Sequence, residues 1–216
     1  ARVIQLLDEA QLPYELFDQV EEDPGVRTVA AGVEAFASAG CDIVIAFGGG
    51  SPMCAGKGVA LVAANGGLLT DYEGFNKAAN APYPVIAIPT TAGSGTEASK
   101  VTILTDEARN FKMSIIDERA YPTVAILDGE LMESLPAWPA LVAGMDALAH
   151  AMDAVWSVGA TDFSDNLAVT SAATIIEQLP MAALTNDLNA KQRMLEASTM
   201  ANMATGIALP GLAHVL

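Results

Sequence analysis

Asp42-Ile43-Val44-Ile45-Ala46-Phe47-Gly48-Gly49-Gly50-Ser51-Pro52 passes from an apolar run through three glycines into a helical pattern. A near-continuous apolar run suits a parallel strand buried on both faces. Glycines let a backbone approach a bound group closely. The helix that follows offers free N–H groups and a favourable dipole to a phosphate. Ser51 is placed to act as N-cap, with Pro52 at the first helical position. The run is not G-x-G-x-x-G, so an ordinary Rossmann fingerprint is not supported. A tight connection without a ligand is the plain alternative.

Outward from this stretch, helix and strand alternate. Residues 3–10 are amphipathic and helical, and residues 14–17 read as a short strand. Residues 25–39 have helical spacing, with Val29, Val33 and Phe36 on one stripe. A helix is expected over 51–64 and a buried strand over 84–89. Residues 101–104 and 112–116 read as a hairpin turning through 106–110, and 123–128 as a further strand. Such alternation favours a parallel α/β sheet. Pro89-Thr90-Thr91-Ala92-Gly93-Ser94-Gly95-Thr96-Glu97 is a second small, hydroxyl-rich loop after a strand. Thr90, Thr91, Ser94 and Thr96 can donate to phosphate or ribose, or bond their own turn. Two such loops at strand C-termini fit the place where open α/β sheets bind ligands.

The pattern changes near Leu135-Pro136-Ala137-Trp138-Pro139. Long helical patterns rich in Ala, Met and Leu follow over 141–158, 162–184 and 188–204, with no good strand. The expected organisation is an α/β domain over 1–134, its first strand missing, and the start of an all-helical domain over 135–216. Both ends read as cut. Trp138 and Trp156 are expected to pack, and the nine methionines to fill the core.

Asp146 and His150 stand four residues apart in the first of these helices, on one face and one turn apart. Their neighbours are Ala, Leu and Met, so a solvated face is disfavoured. A metal would neutralise the carboxylate there. A surface pair or a satisfied buried histidine is the alternative. Asp153 is read as structural. The chain's other histidine is His214, in Gly211-Leu212-Ala213-His214. A phosphate loop followed by a metal-ligand helix suggests a metal-assisted nucleotide-cofactor enzyme.

Composition sets the limits. The 216 residues are 52% hydrophobic and 17% charged, enough for a substantial core. The net charge of −16 argues against nucleic acid or an anionic membrane as main partner. No apolar run approaches the roughly 20 residues of a membrane helix. Ala1-Arg2-Val3-Ile4 lacks a signal-peptide layout. Cys41 and Cys54 make no disulfide scaffold, so a reduced cytoplasmic setting is expected.

Several stretches together resemble the iron-containing, or group III, alcohol dehydrogenases. They are Gly48-Gly49-Gly50-Ser51 with Lys57, Thr70-Asp71-Tyr72-Glu73-Gly74, Ile88 to Glu97, Leu127-Asp128 with Leu135-Pro136, Gly144-Met145-Asp146-Ala147-Leu148-Ala149-His150-Ala151, and Gly211-Leu212-Ala213-His214. The resemblance implies the dehydroquinate synthase-like architecture, an α/β N-terminal dinucleotide-binding domain plus an all-α C-terminal domain, with the site in the cleft. It implies Asp146, His150 and His214 as metal ligands, with a further histidine beyond Leu216. It places Gly49, Gly50, Ser51, Thr90, Thr91 and Ser94 along the cofactor, and Lys112 reaching toward it. It assigns no catalytic side chain beyond the metal ligands.

The implied cofactors are NAD or NADP and Fe2+, with Zn2+ as the alternative. The implied reaction is oxidation of a small alcohol to its aldehyde or ketone, and the reverse, by a homodimer or larger homo-oligomer. A glycerol dehydrogenase-like or maleylacetate reductase-like relative, or an inactive truncated remnant, are the alternatives. Two positions depart from the family. Cys54 stands where it usually has Asp, at a helix start that would favour thiolate. Glu22-Asp23-Pro24 stands where it often has Pro-Asn-Pro.

Overall fold

The computed structural model describes residues 2–209. Among these residues six α-helices run over Arg2–Glu9 (α1), Val26–Ala39 (α2), Gly50–Asn65 (α3), Ala137–Trp156 (α4), Asp162–Leu184 (α5) and Leu188–Ala208 (α6). The strands are Val44–Gly48 (β1), Gly74–Phe75 (β2), Val85–Pro89 (β3), Val101–Asp106 (β4), Phe111–Ile116 (β5) and Val124–Ala125 (β6). An α/β region thus precedes an all-helical one.

The strands form two sheets. β3 lies between β1 and β6, all parallel, with Val44 opposite Val85, Gly48 opposite Pro89 and Ile86 opposite Val124. The hairpin forms a second, mixed sheet: β4 runs antiparallel to β5, and β2 lies parallel on β5's other side. The single parallel sheet suggested by alternation is therefore divided. Val29, Phe36, Leu61, Leu104, Met113 and Ile115 form a core between α2, α3 and the hairpin, and Cys41 packs on its edge as a small hydrophobe.

Residues 14–17 form no strand. Strand geometry is held by a ladder, and Tyr14 and Leu16 are exposed with no ladder beside them among the described residues. The strand expected over 123–128 shortens to two paired residues, although Thr123 N–H and Ile126 N–H still donate to Val85 O and Ala87 O. α3 begins at Gly50, not Ser51. Its N-cap is Gly49, with no side-chain cap bond, so the expected Ser51 cap does not form.

The helical region is one bundle. α5 starts where expected because Thr161 Oγ1 accepts from Ser164 N–H and Ser164 Oγ lies within bonding distance of Thr161 N–H, a reciprocal cap. Its length and composition would suffice to cross a membrane, with mean hydropathy 1.4 in its most apolar window, contrary to the sequence expectation. It packs against α4 and α6 with Ala168, Ser171 and Ile175 buried, while Phe163, Val169, Ile176 and Leu184 stay exposed. Ala151, Ala154, Ala168, Ala201, Ala204 and Ala208 form a seam joining the three helices.

Trp138 and Trp156 do not pack as expected: they are 75% and 70% exposed. They share an outward stripe of α4 with Val142, Met145 and Met152, opposite the alanine face. The methionines divide likewise. Met53, Met113, Met132 and Met194 are buried, whereas Met145, Met152, Met181 and Met203 are exposed.

Candidate active site

β1 and β3 end side by side, so the loops leaving them meet. Thr90 N–H donates to Gly48 O at 2.9 Å, continuing the ladder one residue into the loops. A Cβ on Gly49 would lie 3.3 Å from Thr91 Oγ1, and one on Gly50 would lie 3.2 Å from Ser94 Oγ. The glycines therefore leave a cradle faced by two hydroxyl side chains. The open N–H groups of Gly50 and Ser51 belong to this uncapped helix start, where the dipole also favours an anion. Ser94 Oγ is buried without a hydrogen-bond partner among the described residues. A buried hydroxyl lacking a partner costs about 1–3 kcal/mol, which a bound acceptor would recover. These features fit the pyrophosphate of a dinucleotide.

The second loop is wedged between both regions. Ala92 is buried in the helical core with Ala147 and Leu195. A Cβ on Gly93 would lie 2.8 Å from Ala143 O on α4, so only glycine allows this approach. Gly95 has φ +59, and a Cβ there would collide with Asn202 on α6.

Ala143 lies one turn before Asp146. Asp146 and His150 face each other along α4, with Oδ2 and Nδ1 4.0 Å apart and side chains 44% and 12% exposed. A carboxylate and an imidazole on one face are a suitable donor pair for a divalent metal, and do not decide between iron and zinc. Among the described residues no cluster of three or more His, Cys, Asp or Glu side chains gathers to hold a metal. His214 lies outside the described residues. Asp153 is buried.

Lys112 lies on the hairpin, where its ammonium donates to Asp23 Oδ1 at 2.8 Å, both groups being largely exposed. The sequence thus brings together Gly49, Gly50, Thr91 and Ser94, with Ser51 and Thr90 in the same two loops. Lys112 instead pairs with the residue that departs from the family pattern.

Beneath the loops is a buried polar cluster. Lys57 is 3% exposed and donates to Ser99 O and Val101 O at 2.5 and 2.8 Å. Burial pulls its ammonium down to about 8, against the opposing influence of Cys54 and Glu97. Burial likewise raises the Glu97 carboxyl, outweighing its bond from Thr199 and the charge of Lys57. Cys54 is buried with Sγ 3.8 Å from Thr96 Oγ1, which shields the thiol from solution.

Sequence reading missed the part α6 plays here. Thr199 donates to Glu97, Asn202 to Ser94 O and Thr205 to His150 O. The available signal was polar residues at three-residue spacing in an Ala- and Met-rich helix. Their partners lie 102, 108 and 55 residues away, beyond any local pattern.

Comparison with known proteins gives the ancestry. Residues 1–129 match the family described as iron-containing alcohol dehydrogenase. Residues 140–216 match the C-terminal part of the Fe-containing alcohol dehydrogenase family. The chain belongs to the iron-containing alcohol dehydrogenase family. It is 41% identical over 213 residues to the NAD-dependent methanol dehydrogenase of Bacillus methanolicus, covering 98% of this chain and 56% of that protein. The fold matches the crystal structure of a 1,3-propanediol oxidoreductase with TM-score 0.95 and 34% identity, over 99% of this chain and 56% of the other. It also matches sulfoacetaldehyde reductase from Bifidobacterium kashiwanohense in complex with NAD+, with TM-score 0.86 and 30% identity, over 97% and 58% of the two chains. The chain spans a little over half the length of these relatives.

Proposed function

We propose that the protein to which this chain contributes is an NAD(P)-linked, metal-dependent alcohol dehydrogenase acting on a small alcohol or aldehyde. The observation that carries this reading is the Thr90–Gly95 loop, which borders the glycine cradle on one side and the Asp146 helix on the other. When bound, the nicotinamide supplies the hydride acceptor or donor, and the divalent metal supplies Lewis acidity toward the substrate oxygen.

The chain's own contributions are distinct. Gly49 and Gly50 leave room for a pyrophosphate, and the Gly50 and Ser51 N–H groups donate to it. The hydroxyls of Thr90, Thr91 and Ser94 donate to phosphate or ribose. Asp146 and His150 hold the metal, with His214 as a further ligand. Lys112, on the hairpin, is paired with Asp23 and would reach toward the cofactor. The α/β dinucleotide-binding domain takes residues 1–134 and the helical metal-binding domain begins at 135. Relatives named for NAD support NAD over NADP as coenzyme, and the family's name supports iron over zinc. The two free cysteines support a reduced cytoplasmic setting, and a homodimer or larger homo-oligomer is the proposed assembly.

The test is NAD(P)H formation with short alcohols and diols, using the full-length gene product loaded anaerobically with Fe2+ or with Zn2+. Iron-dependent turnover supports the reading. Turnover with zinc alone moves it toward a glycerol dehydrogenase-like enzyme. Absence of turnover with both metals in a folded protein overturns it.

A further inference from the structure

α6 carries three polar side chains within one third of its circumference, and each bonds a different part of the site. Thr199 Oγ1 donates to Glu97 Oε1 at 2.5 Å, at the end of the hydroxyl-rich loop. Asn202 Nδ2 donates to Ser94 O at 2.7 Å, within that loop. Thr205 Oγ1 donates to His150 O at 2.9 Å, on the helix bearing the Asp–His pair. A helical threonine ordinarily bonds the carbonyl four residues back. Both hydroxyls reach that carbonyl too, Leu195 O at 2.9 Å and Ala201 O at 3.1 Å, but the contact leaving the helix is shorter each time.

The packing gives these bonds a purpose. α4 and α6 meet through Ala151, Ala154, Ala201, Ala204 and Ala208. Methyl groups pack closely but offer few interlocking knobs, so such a seam constrains sliding along the helix axis weakly. Hydrogen bonds have fixed length and direction, and they fix the register the alanines leave loose. The loop cannot absorb a displacement, because Gly93 and Gly95 bring its backbone against α4 and α6 with no room for a Cβ.

We propose that Thr199, Asn202 and Thr205 are positioning residues that set the cofactor loop in register with the Asp146–His150 pair. This rests on the dehydrogenase reading above. Hydride transfer needs donor and acceptor carbons in near contact, and a misplacement of about 1 Å costs about 10²-fold in rate. Thr205 holds the metal helix, so its loss affects the chemical step. Asn202 holds the cofactor loop, so its loss affects coenzyme binding as well.

The experiment uses the full-length protein and its Thr205→Val, Thr205→Ser and Asn202→Ala variants. It measures NADH dissociation by fluorescence, bound metal, kcat, and the primary isotope effect with an α-deuterated primary alcohol. Thr205→Val is expected to lower kcat about 10-fold or more and to raise the isotope effect, as hydride transfer becomes rate-limiting, with NADH affinity and metal content unchanged. Thr205→Ser keeps the hydroxyl and is expected to restore wild-type kcat. Asn202→Ala is expected to weaken NADH binding several-fold and to lower kcat. The proposal is overturned if Thr205→Val and Asn202→Ala lose thermal stability while kcat and NADH affinity stay at wild-type values. It is equally overturned if Thr205→Ser is as impaired as Thr205→Val. A Thr205→Val protein that does not fold leaves the serine and Asn202 variants to decide. Failure of the wild-type protein to bind NADH or turn over sinks the dehydrogenase reading, and this proposal with it. An active wild type with indifferent variants sinks this proposal alone.

Discussion

The α/β and helical regions build their shares of the candidate site by opposite means. The α/β region contributes open backbone: a glycine cradle, an uncapped helix start and short hydroxyls around it. The helical region contributes side chains from one turn of one helix, Asp146 and His150. Their cores differ in the same sense. Leu104, Met113 and Ile115 fill the first with large side chains, whereas alanines let α4, α5 and α6 approach closely in the second. A backbone site fails when something is added. A side-chain site fails when something is removed.

The largest expected effect follows from the cradle. Gly50→Val would place branched methyls against Ser94 and fill the space proposed for pyrophosphate. It is expected to abolish measurable NADH binding while leaving bound metal at the wild-type level. Loss of both would mean that the regions do not act separately.

The cores should respond to opposite changes. Leu104 is 2% exposed, and Leu104→Ala is expected to cost about 3 kcal/mol in chemical denaturation by leaving a cavity. Ala151 is packed in the alanine seam, so Ala151→Leu is expected to cost about 2 kcal/mol by overpacking. A tolerated leucine at 151 would show that the helices can part easily, contrary to the close packing.

Lys57 offers a smaller test with a defined sign. Its folded value of about 8 lies below the ordinary lysine value of 10.5. Above pH 8 the folded protein releases a proton that the unfolded chain still holds until about 10.5, so this group's contribution to stability rises with pH. Below pH 8 burying the charged form costs a constant amount. Between pH 8 and 10 the wild-type protein should therefore gain stability relative to Lys57→Met. A difference independent of pH would show that Lys57 is not held charged and desolvated.

Local patterns made much of this legible. The helical pattern rich in Ala, Met and Leu placed α5 at its observed bounds, and the apolar runs placed β1 and β3. The two loops could be anticipated because each is contiguous in sequence and follows a buried strand. The failures were of long-range context. Residues 14–17 read like a strand but join no ladder among the described residues. Trp138 and Trp156 are large and apolar, but the alanine face of α4, not the tryptophan face, meets the bundle. Thr199, Asn202 and Thr205 could not be paired with their partners before the helices were placed.

The most direct test of the division between backbone cradle and side-chain pair is His150→Ala in the full-length protein. NADH affinity, bound metal and turnover are measured on one preparation. The account expects metal and metal-dependent turnover to be lost and NADH affinity to stay at the wild-type value. Equal loss of NADH affinity and metal in a protein that remains folded would contradict it.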